Sequence, residues 1–391
     1  MVEKGYNPPP PHSSPETETE TEIRLFATAA RGTEGALRDE LRELGFKAVR
    51  AERGGVHFGG ELAEGARACL ELRTAHRVLY RLDAFPAPDG TALYEGVKAI
   101  DWSPYLTAQH TLSVRSVCRD SRLTHSQFIA QKAKDAIVDQ LRERFGARPS
   151  VDRADPDLTL FVHVVRDLCT VYLDLSGESL HRRGYRAETM DAPLKESLAA
   201  AILRLAGWDR ERPLVDPMCG SGTIPIEAAL WARRIAPGLL RERFGLERWA
   251  CHDEAQRRGM TDLREAAFAR ILPASPPIFG SDIDPAAITI ATENARVAGV
   301  KVTFRQRGVA DLAPLSPPGM VLTNPPYGER LAGGDELYAA MAKAMLALRS
   351  HRIAILAGAP SIARAFHHDA ARSLAVYNGD IECRLLIVAP G

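Results

Sequence analysis

Cysteine is scarce and scattered in this 391-residue chain: Cys69, Cys118, Cys169, Cys219, Cys251 and Cys383 include no CxxC pair. That spacing argues against both a zinc site and a disulfide framework, so six reduced thiols are expected. Long apolar runs are missing as well. None approaches the roughly 18 residues of a membrane span, and a cytoplasmic protein without membrane contact is expected. Neither charge sign is in excess, with 50 basic and 50 acidic residues. The balance hides an asymmetry, because five glutamates against Lys4 in the first 22 residues leave the remainder modestly basic. That opening stretch, NPPPPHSSPETETETE at its centre, lacks an apolar pattern and the charged-then-apolar layout of a signal peptide. It predicts a disordered tail over residues 1–22.

What the chain has is length and pattern. With 45% hydrophobic residues it can form two or three domains with substantial cores. Ile23, Leu25 and Ala27 alternate as a short strand does, and Leu37, Leu41 and Leu44 recur at helical spacing until Gly45 ends the helix. GGVHFGG and HTLSVRSVCRD predict two further strands. In THSQFIAQKAKDAIVDQLRERFG, the residues Phe128, Ile129, Ala133, Ile137 and Leu141 make one apolar helix face. DLTLFVHVVRDLCTVYLDLSG reads as a hairpin turning at Arg166-Asp167. From Thr111 to Ser150 there are eight Lys or Arg against four Asp or Glu. Lys132 and Lys134 on that helix are therefore either phosphate contacts or part of an ordinary solvated face. LHRRGYR is a denser cluster, in which Arg182, Arg183 and Arg186 around Tyr185 suit either a nucleic-acid backbone or a linker packed by ion pairs.

The second half repeats strand, loop and helix in the manner of a doubly wound sheet. RPLVDPMCGSGTIPIEAALWA runs from a strand through Asp216 and a Gly220-Ser221-Gly222 turn into a helix near Thr223. Glycines there allow close backbone approach, and the helix start offers free N–H groups. The GxGxxG and GK[ST] spacings are absent, so neither a dinucleotide fingerprint nor a P-loop is matched. In GSDIDP a second strand ends at Asp282, placed to accept bonds from a ribose diol, and Asp284 with Pro285 suits a helix start. KVTFRQRGVADL is a third strand. At VLTNPPYGER the chain must leave the sheet at Asn324, because Pro325 and Pro326 lack the N–H of a central strand. Loops at such strand ends carry ligand sites. ARSLAVYNGDIECRLLIVAP predicts a closing hairpin through Asn378-Gly379. His367, His368 and Asp369 are expected on the surface and not at a metal, since adjacent side chains alternate in direction.

DPMCGSGT, GSDIDP and NPPYGERL, in that order, resemble class I methyltransferases that use S-adenosylmethionine to methylate exocyclic amines of nucleobases. With LDLSGESLHRRGYR, APLKESLAAAIL, ARGTEG and GGVHF, the chain is similar to bacterial 23S ribosomal RNA guanine-N2-methyltransferases that carry an N-terminal THUMP domain. The likeness is dense from about Ile23 to about Leu331. It implies an α/β chain: a C-terminal Rossmann-like, seven-stranded class I methyltransferase domain preceded by an α+β ferredoxin-like and THUMP RNA-binding module. The expected division is a tail over 1–22, a ferredoxin-like part over 23–63, THUMP over 64–176 and the methyltransferase domain over 177–391. That last domain alone is expected to bind cofactor but to methylate ribosomal RNA poorly. Some members continue into a second methyltransferase domain; this chain stops after the first, so that second activity is expected to be absent from it. The implied cofactor is S-adenosylmethionine. The implied partner is a structured RNA, either 23S ribosomal RNA or a large-subunit precursor, with no metal involved.

The resemblance also assigns roles. Gly220 and Gly222 let the loop approach the methionine part of the cofactor, and Asp216 receives its ammonium directly or through water. Asp282 holds the ribose hydroxyls, Ile283 packs on the adenine, and Lys195 and Glu196 help close the site. An exocyclic amine is a poor nucleophile because its lone pair is delocalised into the ring. If Asn324 Oδ1 and the Pro325 carbonyl accept its N–H bonds, the nitrogen can pyramidalise towards the methyl group. Pro326 keeps the turn rigid and Tyr327 offers a face to a splayed base. One position departs from the pattern: Gly308 stands where relatives commonly have an adenine-binding aspartate, and either Asp311 or a backbone carbonyl substitutes. A transfer RNA guanine-N2-methyltransferase and a non-catalytic RNA-binding assembly factor are the alternative readings. A DNA adenine methyltransferase shares NPPY but not the RNA-type module.

Overall fold

The computed structural model describes residues 23–186, 194–327, 334–366 and 371–390. The tail expected over 1–22 and the His367, His368, Asp369 group lie outside the described residues. In the N-terminal half, β1 (Leu25–Thr28), α1 (Glu34–Glu43), β2 (Arg50–Glu52), β3 (Gly55–Phe58), α2 (Leu62–Glu71), β4 (Arg77–Pro86), α3 (Gly90–Ala99), β5 (Thr111–Arg119), α4 (Ser126–Phe145), β6 (Ser150–Val151), β7 (Leu158–Val165) and β8 (Leu168–Asp174) succeed one another. Their strands make one eight-stranded sheet in the order β2-β3-β1-β4-β8-β7-β5-β6. β4 is the seam, pairing with β1 on one side and β8 on the other, both antiparallel. The sheet is thus continuous across the two expected parts, and a cut at residue 63 would fall inside α2.

Local chemistry accounts for these elements. The β7–β8 turn places Arg166 and Asp167 at φ of 52° and 60°, the mirror-image turn whose twist suits a hairpin. On α4, Ile129, Ala133, Ile137 and Leu141 are fully buried, but Phe128 is 43% exposed and lies against Gly90 of α3. The expected apolar face therefore loses one member, because residue 128 sits about 100° round the helix from the 129-133-137-141 row.

The C-terminal half contains α5 (Glu196–Leu205), β9 (Leu214–Asp216), α6 (Thr223–Ala232), α7 (Glu254–Ala269), β10 (Ile278–Asp282), α8 (Pro285–Val297), β11 (Thr303–Gln306), β12 (Met320–Thr323), α9 (Gly334–Leu346), β13 (Arg352–Ala357), α10 (Pro360–Phe366), β14 (Arg372–Asn378) and β15 (Ile381–Val388). Its seven strands run β11-β10-β9-β12-β13-β15-β14, with the first five parallel and the closing hairpin antiparallel. This is the expected Rossmann-like sheet. Every residue of α6 is buried, as befits a helix apolar on all sides. The closing turn is Gly379-Asp380, one residue later than expected, because Asn378 still pairs with Ile381.

The halves are not separate bodies joined by a linker. Ala236, Phe244, Leu246, Trp249, Met260 and Ala267, all between α6 and β10, belong to the hydrophobic core of the N-terminal half. The β1–α1 turn also covers the outer edge of the second sheet. Tyr377 N–H donates to the Arg31 carbonyl at 3.0 Å, and the Arg31 guanidinium lies 4.1 Å from the Tyr377 ring centroid. Gly32, at φ +87°, comes so near β14 that a Cβ there would stand 2.2 Å from the Ala375 carbonyl oxygen.

Candidate active site

Strand order reverses at β9, which lies between β10 and β12, and ligands of open α/β sheets bind at such a switch point. Three strand tips meet there: Asp216 ends β9, Asp282 ends β10 and Asn324 follows β12. Asp216 is 2% exposed, and its Oδ1 accepts from Thr323 Oγ1 at 2.7 Å and from Met218 N–H at 3.1 Å. Burial, reinforced by the Asp282 charge and only partly offset by those two bonds, pushes its carboxyl up to about 7. A cation beside it would reverse that shift.

Asp282 joins the glycine loop to the second strand. Its Oδ2 accepts from Gly220 N–H at 2.9 Å and its Oδ1 from Asp284 N–H at 3.1 Å. Asp284 in turn caps α8 by accepting from Ala286 N–H at 2.9 Å, so the two acids divide their work. Between them Ile283 is 76% exposed, an apolar side chain left uncovered at a strand tip. Gly220 and Gly222 both have positive φ, 51° and 82°. Around a Cβ on Gly220 there is nothing within 4 Å among the described residues, whereas one on Gly222 would stand 3.0 Å from Ala291 Cβ and from Phe304 Cζ. Gly220 therefore borders open space, but the Cβ that Gly222 lacks would point into protein packing and not towards a ligand. This corrects the role expected of Gly222.

The amide of Asn324 carries the least common feature of the site: its Oδ1 is buried with no hydrogen-bond partner among the described residues, where such an atom is normally satisfied. Pro325 is buried, and the Pro326 carbonyl accepts from the Tyr338 hydroxyl at 2.9 Å. Tyr327 is half-buried. Its hydroxyl accepts from Asn378 Nδ2 at 2.8 Å, and its ring lies on Gly358, where a Cβ would come within 2.4 Å of Cε1. Burial pushes the phenol up from its ordinary range, which keeps it neutral. Asp311 is exposed on a short turn, with Oδ2 3.9 Å from where a Gly308 Cβ would be.

The basic residues divide. Arg183 is 1% exposed; it pairs with the fully buried Glu227 at 3.4 Å and donates to the carbonyls of Leu180 and Arg73. Arg186 donates to Glu196 Oε1 at 2.6 Å, to the Leu194 carbonyl at 2.5 Å and to Thr223 Oγ1 at 3.1 Å. These two are the ion-paired packing alternative and are corrected as RNA contacts, since neither charge is open to a phosphate. Glu196 is buried in the same pair. Arg182 is exposed and bridges Glu178, while Lys132 and Lys134 are half-buried beside Tyr94 and Asp135. Sequence reasoning missed Thr323, Tyr338, Gly358 and Asn378. They hold Asp216, Pro326 and Tyr327 from distant strands and helices, and only Asn378 carried a local signal, for a turn.

These features define a class I methyltransferase fold, with the Asp216 and Asp282 carboxylates, the Gly220 turn and the proline exit at Asn324 gathered at its switch point. A family model for the RMKL-like methyltransferase domain matches residues 183–387, one for the THUMP domain residues 89–174, and one for the RlmL ferredoxin-like domain residues 24–79. The chain belongs to the RMKL-like methyltransferase family. Among curated relatives, the ribosomal RNA large subunit methyltransferase K/L of Syntrophotalea carbinolica is 44% identical over 387 residues, covering 93% of this chain and 53% of that protein. Its counterpart from Methylococcus capsulatus is 44% identical over 379 residues, covering 94% and 51%. The chain thus spans about half the length of the curated relatives it matches. The crystal structure of SMU.472 complexed with SAH has a TM-score of 0.84 at 34% identity, over 94% of this chain and 98% of that one.

Proposed function

We propose that this chain transfers a methyl group from S-adenosylmethionine to the exocyclic N2 of a guanosine in 23S ribosomal RNA. The observation that carries the reading is the orphaned Asn324 Oδ1, a buried acceptor at a proline-stiffened strand end. The cofactor would supply an electrophilic methyl on a sulfonium. The residues present suit it: Asp216 for the ammonium, open space over Gly220, Asp282 for the diol, exposed Ile283 for the adenine and Asp311 near the empty Gly308 position. Asn324 Oδ1 and the Pro325 carbonyl accept the two N–H bonds of the amine and orient its lone pair, with positioning doing most of the work. Tyr327, held by Asn378 and Gly358, stacks on the base. The THUMP match and the names of the curated relatives support an RNA partner.

Incubation of the chain with labelled S-adenosylmethionine and either deproteinised 23S ribosomal RNA or transfer RNA, followed by nucleoside mass spectrometry, tests this. N2-methylguanosine in the ribosomal RNA is expected. Label confined to transfer RNA, or to adenosine, would overturn it.

A further inference from the structure

A cleft of about 780 Å³ opens where the N-terminal sheet meets the segment after α6, and a second of about 580 Å³ continues it. They share Glu178, His181, Arg182, Arg183 and Gly184. One end reaches Arg115 on β5 and Thr159 on β7. The other reaches Lys195 and Glu196, where Arg186 donates to Thr223 Oγ1 at the first residue of α6, directly after Gly222. The cleft therefore connects the RNA-type module with the helix that carries the glycine loop.

Its charge is unbalanced. Nine arginines and lysines line the two parts against four carboxylates. Several of the nine are neutralised, Arg77 by Asp174, Arg182 by Glu178, Arg183 by Glu227, Arg186 by Glu196, and Arg248 by Asp155 and Asp157. Others are not. Arg115 is exposed beside the Phe161 ring, Arg243 comes no nearer than 3.9 Å to a carboxylate, and Lys195 is exposed without an ion pair among the described residues. Beneath them Arg241 is 9% exposed and donates to the carbonyls of Ser176, Glu178, Ser179 and Arg182, with no carboxylate paired to it among the described residues. Four carbonyls accept from its Nη1 and Nη2 groups, but no described carboxylate neutralises its charge, so it adds a net positive charge beneath the cleft. Burial above all, with smaller contributions from His76, Lys195, Arg183 and Arg182, holds the His181 imidazole down at about 3, which keeps it neutral.

We infer that this cleft is the track for the sugar–phosphate backbone of the RNA strand bearing the target base, with Arg115, Arg243 and Lys195 as phosphate contacts over Arg241. The inference rests on the RNA reading given above. A protein partner would want an apolar centre to its interface with few charges, whereas guanidinium groups are the commonest side chains lining the wider part of this cleft, beside Leu240 and Phe244. The base that reaches Asn324 must be splayed from its neighbours, so its flanking backbone needs a charged guide that reads no sequence.

The test uses the full chain with Arg115→Glu and Arg243→Glu combined, and binding to deproteinised 23S ribosomal RNA measured across salt concentrations. Affinity should fall at least tenfold and the slope of log K against log salt should shrink by about 1.5, with calorimetric affinity for S-adenosylhomocysteine unchanged. Wild-type affinity and slope in the double variant, with binding lost instead in Lys132→Glu plus Lys134→Glu, would overturn the cleft in favour of the α4 face. Loss of RNA binding in the Arg115→Glu, Arg243→Glu variant, with no guanosine methylated by wild type, would support the cleft and defeat the functional reading.

Discussion

Asn378 Nδ2 donates to the Tyr327 hydroxyl at 2.8 Å across 51 residues of sequence, so the end of β14 fixes the Tyr327 ring beside the proline turn. Asn378→Ala should lower kcat roughly three- to tenfold, the worth of one hydrogen bond, while affinity for S-adenosylhomocysteine stays unchanged. In a Tyr327→Phe background the same substitution should have no further effect. An equal loss in both backgrounds would show that Asn378 acts elsewhere.

Asn324→Ala separates chemistry from stability. Removing the amide should reduce turnover at least a hundredfold, yet the melting temperature should hold or rise, because a buried unpartnered acceptor is deleted. Cofactor titration should be normal. A variant that melts well below wild type would mean that the amide is a structural element.

Two glycines of one loop should fail differently. Gly222→Ala should destabilise the fold, since its Cβ meets Ala291 and Phe304 at a positive φ. Gly220→Ala should keep more of its stability and lose cofactor affinity, because its Cβ points into open space. Thermal melts and calorimetry, run side by side, read the two effects.

Asp216 makes the ligand-free protein pH-sensitive. Its folded carboxyl titrates at about 7, above the roughly 3.9 of an unfolded aspartate. The group's contribution to stability is therefore complete below about pH 4 and lost as pH rises through 7. Asp216→Asn should flatten that part of the melting-temperature profile between pH 5.5 and 8, to about the extent that one titrating group allows. With S-adenosylhomocysteine bound to wild type, the decline should weaken, since its ammonium favours the charged carboxylate. An unaltered profile in Asp216→Asn would assign the pH dependence to other groups.

Arg183→Ala strands Glu227, which is fully buried, and should cost about 3 kcal/mol in urea denaturation. The folded variant should bind RNA with the wild-type salt slope. A reduced slope would return Arg183 to the RNA surface.

Legibility followed the range of the interactions. Alternation and turn chemistry are local, so β7, β8, the Gly220-Ser221-Gly222 turn and the proline exit at Asn324 could be read directly from the residues. The pairing of a charge is not local. Arg182, Arg183 and Arg186 look alike in sequence, and only the distant positions of Glu227 and Glu196 separate the buried pair-formers from the exposed residue. Arg241 and Arg243 were passed over for the same reason: no motif surrounds them, and their setting arises when the segment after α6 folds back on the N-terminal half. Thr323 and Tyr338 act through contacts that depend on the completed sheet.

The turn at Arg31 and Gly32 on β14 bears on how this protein can be dissected. β14 is the last strand of its sheet, and an uncovered edge strand offers a row of unpaired groups to any other chain. Residues 177–391 expressed alone would lose that cover, together with the partners of Ala236 through Ala267, and should self-associate in solution. A truncated protein that failed to methylate RNA would then report aggregation as readily as lost recognition. For the same reason the catalytic unit is a poor candidate for transplantation: a new RNA-binding partner would have to supply a turn that fits β14 as well as a surface that fits RNA.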